Sequence, residues 1–183
     1  MKTIVLNGNP DASNTIFEDY LNKLSSTLAA ANHMVTLFNL RDMGIRYCTG
    51  CLGCFVKTPG ECIVKDASAD MRRKYINSDF ALLASPVIMG FTSALLKTAQ
   101  DRLTPLLLPY FELSADGVRH VGRYAKFPSI GLLLEKSPHT AGDTIRIIHD
   151  IYKRYATNIK SSLLFVKLTD SPVEAVVNEI NHL

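Results

Sequence analysis

The stretch that decides the fold is residues 3–15, which read TIVLNGNPDASNT. Residues with β preference run into a turn of glycine, proline and small polar residues, and the turn opens into a helix. Such a turn presents free backbone N–H groups and the positive end of the helix dipole, so it is suited to hold a phosphate. Ser13, Asn14 and Thr15 could add side-chain donors. The simpler interpretation is a first strand and helix in which Ser13 and Asn14 only cap the helix.

Two common nucleotide-binding loops are absent from this turn. It lacks the three spaced glycines of a dinucleotide-binding fingerprint, and it lacks the glycine-lysine pair of a P-loop. The sequence therefore does not predict a Rossmann dinucleotide site or a P-loop nucleotidase.

The composition suits one compact domain that spans residues 1–183. The chain is 47% hydrophobic and 20% charged, and its net charge is only +3. Lysine and arginine are scattered along it, so we expect no nucleic-acid partner. No apolar segment reaches the roughly 18 residues of a membrane span, and the first strand follows the N-terminus without a signal-peptide pattern. We therefore expect a cytoplasmic protein without a membrane partner.

Hydrophobic periodicity predicts that strands and helices alternate along the chain. A capping-box pattern at residues 15–18 predicts a first helix over residues 15–31, and residues 171–174 read as the cap of the last helix. Five apolar segments are predicted as strands, at residues 3–6, 34–38, 80–84, 130–134 and 163–166. This pattern predicts an α/β fold: a flavodoxin-like, doubly wound, five-stranded parallel sheet in the order 2-1-3-4-5.

Two further expectations follow from this fold, one for the chain between the third and fourth strands and one for the ligand site. A hairpin insertion is predicted near residues 106–124, with its turn at Asp116 and Gly117. The ligand of a doubly wound sheet lies at the carboxyl ends of the strands, so residues 7–15, 85–91 and 135–142 should meet there. His139 in the third of these loops could touch a ligand, although a lone histidine in a loop is more often a solvated surface residue.

All four cysteines lie in one irregular segment, residues 39–66. They are Cys48, Cys51, Cys54 and Cys62, in the spacing C-x2-C-x2-C-x7-C. Clustered thiolates of this kind suit a [4Fe–4S] cluster, with Gly50 and Gly53 allowing tight turns between them. Zinc more often uses two separated cysteine pairs, and free or redox-active thiols are the third interpretation.

Three sequence blocks carry a resemblance to a known family. They are residues 7–15, the cysteine segment with Lys65 and Asp66, and residues 85–102 with Ser85, Pro86, Gly90 and Ser93. Together they resemble the flavodoxin-like NAD(P)H-dependent FMN reductases, and within them the iron-sulfur flavoprotein branch. The resemblance covers roughly residues 1–103, and beyond these only the rhythm of helices and strands agrees.

The resemblance implies a flavin site and its chemistry. The FMN phosphate would be held by the opening turn and the isoalloxazine ring by the loop after the third strand, with the cofactor-binding set Asn9, Pro10, Ser13, Asn14, Thr15, Pro86, Val87, Ile88, Met89 and Gly90. The four cysteines would be metal ligands. NAD(P)H or a ferredoxin would be the electron donor, a small molecule the acceptor, and a homodimer or homotetramer the assembly. An electron carrier without turnover and a scaffold that has lost FMN are the alternatives.

This sequence departs from the family pattern in three places. Ile88 stands where these proteins often have tyrosine, so an aromatic contact with the flavin is missing. Asp11 stands where a basic residue is common, which puts a carboxylate beside the expected phosphate. Residues 135–142, EKSPHTAG, replace a loop that is usually rich in glycine.

Overall fold

The computed structural model describes residues 1–114, 117–138 and 140–183, and a parallel sheet forms its centre. Its strands are β1 (Lys2–Asn7), β2 (Met34–Asn39), β3 (Phe80–Ile88), β4 (Phe91–Thr92), β5 (Leu107–Ser114), β6 (Gly117–Gly122), β7 (Ser129–Glu135) and β8 (Leu163–Leu168). The main sheet has the order β2-β1-β3-β7-β8, and all these neighbours pair in parallel. The predicted flavodoxin-like order is therefore confirmed, with β7 and β8 as its fourth and fifth strands.

Helices cover both faces of the sheet. They are α1 (Thr15–Ala30), α2 (Gly53–Val56), α3 (Ser68–Ile76), α4 (Ala94–Asp101), α5 (Thr144–Asn158) and α6 (Val173–Asn181). Within the described ranges, none is both long enough and apolar enough to cross a membrane. The cap expected at residues 171–174 is wrong in detail: Pro172 occupies the N-cap position of α6 and no side chain caps this helix.

Alternation along β1 explains why the sheet has a core on each side. Ile4 and Leu6 belong to the core cluster that contains residues of α3, α4 and α5. Val5, which points to the opposite face, belongs to the cluster that contains residues of α1 and α6. On α1, the residues buried in that second cluster recur every three or four positions, namely Phe17, Leu21, Leu24 and Leu28.

The expected hairpin is present as a separate two-stranded sheet of β5 and β6. Its pairing is antiparallel and includes a register shift between Leu107 and Phe111. Gly117 starts β6, whereas Asp116, the other residue of the predicted turn, lies outside the described residues. Large apolar side chains of the hairpin face solvent, namely Tyr110, Phe111, Leu113 and Val118.

Candidate functional site

Three segments meet at the carboxyl edge of the sheet, as the sequence predicts. The backbone N–H of Gly8 donates to the carbonyl oxygen of Ala84 at 2.8 Å, and the Ser93 hydroxyl donates to the carbonyl oxygen of Gly8. Asn14 Nδ2 donates to Glu135 Oε2 at 2.7 Å, which joins the opening turn to the end of β7. Gly8 permits this approach because a Cβ there would lie 2.7 Å from Leu96 Cβ.

The opening turn is organised around the carboxylate of Asp11. Asp11 Oδ1 accepts hydrogen bonds from the backbone N–H of Ser13 at 2.9 Å and from its hydroxyl at 2.7 Å. These two hydrogen bonds lower the pKa of Asp11, and the bond from the Ser13 hydroxyl has the larger effect. Both donors of Ser13 that could bind an anion are thus engaged by an acidic side chain of the turn itself.

Asn9 supports the turn from inside and does not face the edge where a ligand would lie. It is 1% exposed. Its Nδ2 donates to the carbonyl oxygen of Asp11 at 2.8 Å and to Glu18 Oε1 at 2.6 Å, while its Oδ1 accepts from the backbone N–H of Asp11. Asn9 therefore fixes the shape of the turn through its side chain.

Glu18 is a central residue of the opening turn. The sequence pattern had assigned it to a capping box at residues 15–18. Arg41 donates to both of its carboxylate oxygens, at 2.7 and 3.2 Å, and Asn7 Nδ2 lies 3.1 Å from each. Burial alone would raise the pKa of Glu18, but the hydrogen bonds from Arg41, Asn7 and Asn9 outweigh it and lower that pKa. The predicted capping box at residues 15–18 is therefore wrong, because Glu18 turns toward Arg41.

The helix cap is Asn14, one residue before the predicted start. Asn14 Oδ1 accepts from the backbone N–H of Phe17 at 3.2 Å. Pro10, Ser13 and Thr15 are exposed around it. Thr15 therefore offers a hydroxyl group at the accessible N-terminus of a 16-residue helix, whereas the Ser13 hydroxyl is held by Asp11.

The second segment is a hairpin, whereas the sequence predicted a loop at residues 85–91. Pro86, Val87 and Ile88 continue β3, and Val87 and Ile88 pair with Thr92 and Phe91 of β4. Two residues of positive φ, Met89 at 50° and Gly90 at 79°, make the turn between the strands, as in a type I′ hairpin. Met89 is fully exposed and Ile88 is 41% exposed, so the tip presents apolar side chains at the carboxyl edge.

The cysteine loop, residues 48–62, holds its sulfur atoms in different surroundings. Cys48 and Cys51 are exposed, Cys54 and Cys62 are half-buried, and all four are free thiols. Burial and the neighbouring Cys62 raise the pKa of Cys54, while a hydrogen bond from the backbone N–H of Gly53 lowers the pKa of Cys51. Among the described residues, no three histidine, cysteine or acidic side chains converge on one metal position.

Arg102 anchors the end of this loop. Its Nη1 donates to Cys62 Sγ at 2.9 Å, and its Nη2 donates to both carboxylate oxygens of Asp66, at 2.9 and 3.0 Å. The side chains of Arg102 and Asp66 are only 2% and 8% exposed. Asp101, the neighbour of Arg102 in the sequence, pairs instead with Lys97 on the surface.

The residues present fit the phosphate of FMN better than they fit an iron-sulfur cluster. The opening turn has exposed donors at a helix N-terminus, so it fits a phosphate once the Asp11 side chain rotates away. The four thiols have the right chemistry for an iron-sulfur cluster, but their described positions do not form its cage. His139, the other candidate ligand contact, lies outside the described residues.

Comparison with known proteins finds a family model and curated relatives that match this chain. The model of a family described as NADPH-dependent FMN reductase matches residues 1–124. An iron-sulfur flavoprotein of Archaeoglobus fulgidus is 28% identical over 102 residues, which make up 56% of this chain and 48% of that protein. The chain therefore spans about half the length of this relative.

Solved structures share the fold at low sequence identity. An azoreductase of Bacillus anthracis superposes with a TM-score of 0.70 at 13% identity, over 100% of both chains. An FMN-dependent NADH-azoreductase of the same species, solved in complex with FMN, has a TM-score of 0.59 at 14% identity, over 99% of this chain and 94% of that one. Identities this low establish a common fold alone.

Proposed function

Because the chain belongs to the NADPH-dependent FMN reductase family, we propose that it is an FMN-dependent oxidoreductase that takes electrons from NAD(P)H and passes them to a small acceptor. One observation carries the proposal. The opening turn, the base of the β3–β4 hairpin and Glu135 lie together at the carboxyl edge, where a doubly wound sheet binds its ligand.

The chain's own residues would divide the binding of FMN between them. Ser13 and Thr15 would donate hydrogen bonds to the phosphate at the start of α1, in place of the present contacts with Asp11. The backbone of residues 86–90 would lie along the ring, with Ile88 and Met89 shielding it from water. Bound FMN supplies hydride acceptance and single-electron transfer, so the protein has only to bind and orient it.

We propose further that the four cysteines hold a [4Fe–4S] cluster. Their compact spacing supports this, as does the name of the Archaeoglobus fulgidus relative. On this proposal the exposed Cys48 and Cys51 move toward Cys54 and Cys62 when the cluster assembles, while Arg102 keeps Cys62 in place. A ferredoxin is the alternative electron donor.

A homodimer or homotetramer is the assembly that we propose. The β5–β6 hairpin offers a surface for the second copy of the chain, because Phe111 and Leu113 are 65% and 88% exposed. Light scattering on the purified protein tests this, and a monomer at micromolar concentration would contradict it.

The experiment that tests the function uses protein purified without oxygen. We expect FMN to bind with quenching of its fluorescence, the complex to oxidise NADH or NADPH in the presence of a quinone or azo dye, and the preparation to contain about four iron atoms per chain. Absence of FMN binding would refute the reductase. Binding of FMN without iron would refute the cluster alone.

The second candidate is a scaffold that has lost FMN. The position of the Asp11 carboxylate favours it, because that group already occupies the donors of Ser13. A colourless preparation that does not bind FMN at millimolar concentration would support this candidate.

A further inference from the structure

A cleft of about 360 Å³ lies between the end of the cysteine loop, helix α3 and the residues that follow the β5–β6 hairpin. Four cations line it, against the single carboxylate of Glu61, and they are Lys65, Arg72, Arg73 and Arg123. We call it the basic cleft. Its volume is in the range of small-molecule sites, and its charge favours a negatively charged ligand.

Two of these cations are already paired at the surface. Lys65 Nζ lies 3.0 Å from Glu61 Oε2, and an Arg73 Nη2 lies 3.1 Å from Asp70 Oδ1. Within residues 1–114, 117–138 and 140–183, Arg72 and Arg123 form no ion pair with a carboxylate. The unbalanced charge of the basic cleft therefore resides on these two guanidinium groups.

Arg72 is the buried member of the pair, with 7% of its surface exposed. Its Nη1 donates to Ser68 Oγ at 2.9 Å and to the carbonyl oxygen of Arg102 at 3.4 Å. Its Nε and Nη2 have no acceptor in the part of the chain that is described. Asp66, the nearby buried carboxylate, is engaged by Arg102, so Arg72 is a buried cation without its own anion.

Arg123 faces the same cleft from the other side. Its Nε donates to the carbonyl oxygen of Pro105 at 3.1 Å and its Nη2 to that of Leu107 at 3.3 Å. The guanidinium lies over Gly60, where a Cβ would come within 3.2 Å of Nε. These contacts fix the orientation of the side chain and leave Nη1 available for a ligand.

We propose that the basic cleft binds a small organic anion whose phosphate or carboxylate oxygens accept hydrogen bonds from Arg72 and Arg123. Planar guanidinium groups present paired donors that match both kinds of oxyanion. The apolar part of the ligand lies against Ile76, Leu106 and Tyr124, which complete the wall. The proposal does not depend on flavin binding, because the basic cleft shares no residue with the opening turn.

Phenyl phosphate and benzoate are the probes for this site, with phenol as their neutral match. The titrations use uniformly ¹⁵N-labelled protein as purified, with excess FMN to block the opening turn. We expect saturable shifts of the backbone amide signals of Arg73, Ile76 and Tyr124, which line the cleft and are distant from the cysteines in sequence, with at least one anion and none with phenol. Shifts with phenyl phosphate alone assign a phosphate ligand, and shifts with benzoate alone assign a carboxylate ligand.

The matched variants are Arg123→Gln and Arg146→Gln. Arg123→Gln should weaken the anion about tenfold or more, because it removes a charge-assisted hydrogen bond. Arg146→Gln removes the same charge from an exposed position on α5 and should leave the affinity unchanged. The proposal is overturned if neither anion gives saturable shifts, if the shifts are confined to residues 11–15, or if both variants weaken binding equally. Should Arg123→Gln fail to fold, the wild-type titration decides the proposal.

Discussion

The opening turn and the cysteine loop are both proposed to hold a prosthetic group, yet they are built in opposite ways. The turn is fixed from inside by Asn9 and Glu18, and the N–H and hydroxyl of Ser13 are engaged by Asp11. The cysteine loop has two exposed sulfur atoms and is anchored at its end, where Arg102 contacts Cys62. The turn is ordered with its own anion in place, whereas the sulfur atoms of the cysteine loop do not converge on one position among the described residues.

The largest expected effect comes from breaking the anchor of the cysteine loop. Arg102→Met keeps a similar side-chain volume but leaves the carboxylate of Asp66, which is 8% exposed, without its cation. We expect the free energy of unfolding to fall by about 3–5 kcal/mol, as when one partner of a buried ion pair is removed. Urea denaturation measures it.

Lys97→Met is the control for this prediction. It breaks the exposed pair of Lys97 with Asp101, whose side chains are 55% and 45% exposed. An exposed pair contributes about 0–1 kcal/mol, so this variant should be close to wild type. Equal losses in the two variants would show that Arg102 is no anchor.

A smaller effect is expected inside the opening turn. Glu18→Gln weakens the contacts with Arg41, Asn7 and Asn9, and hydrogen bonds to a charged group contribute about 1.5–3 kcal/mol. Folding lowers the pKa of Glu18 below its ordinary value of 4.5. The carboxylate therefore stabilises the fold above that pH, and the contribution is lost as the pH falls through the lowered pKa.

The pH dependence of stability gives this prediction its sharpest form. The difference in unfolding free energy between wild type and Glu18→Gln should be full at pH 7 and should shrink in acid. A difference that stays constant between pH 7 and pH 3 would mean that the carboxylate charge of Glu18 does not stabilise the turn.

The smallest expected effect is on ligand affinity. Asp11→Ala frees the N–H and hydroxyl of Ser13 and removes a negative charge from the expected phosphate position. FMN should then bind about tenfold more tightly, as measured by fluorescence titration. Asp19→Ala, which removes an exposed carboxylate further along α1, should change the affinity little. Weaker binding by Asp11→Ala would mean that the carboxylate supports the site.

The strands of the main sheet could be predicted from the sequence because buried parallel strands are continuous apolar runs. Their order could be predicted because strands that alternate with helices leave few right-handed arrangements. The start of α1 at Thr15 was predicted correctly, but its cap was missed, because Asn14 and Thr15 are both good caps and the local sequence does not say which one is used. The extension of β3 was missed because Pro86 suggested an end, although Val87 and Ile88 have strong β preference.

The contacts of the candidate sites were harder to predict for a physical reason. Arg102 and Cys62 lie 40 residues apart in sequence, and Arg41 and Glu18 lie 23 apart. Such pairs form only when the fold brings their elements together, so no local pattern announces them. Asp11 is the exception. The sequence alone shows that it places a carboxylate in a turn that is predicted to bind a phosphate.

The measurement that tests the account most directly compares the affinities of FMN and riboflavin for the purified protein. The two ligands differ only in the phosphate that the opening turn is proposed to hold. If Ser13 and Thr15 donate to that phosphate, FMN should bind at least about tenfold more tightly than riboflavin. Equal affinities, or no binding of either flavin, would contradict the proposal that this turn anchors the cofactor.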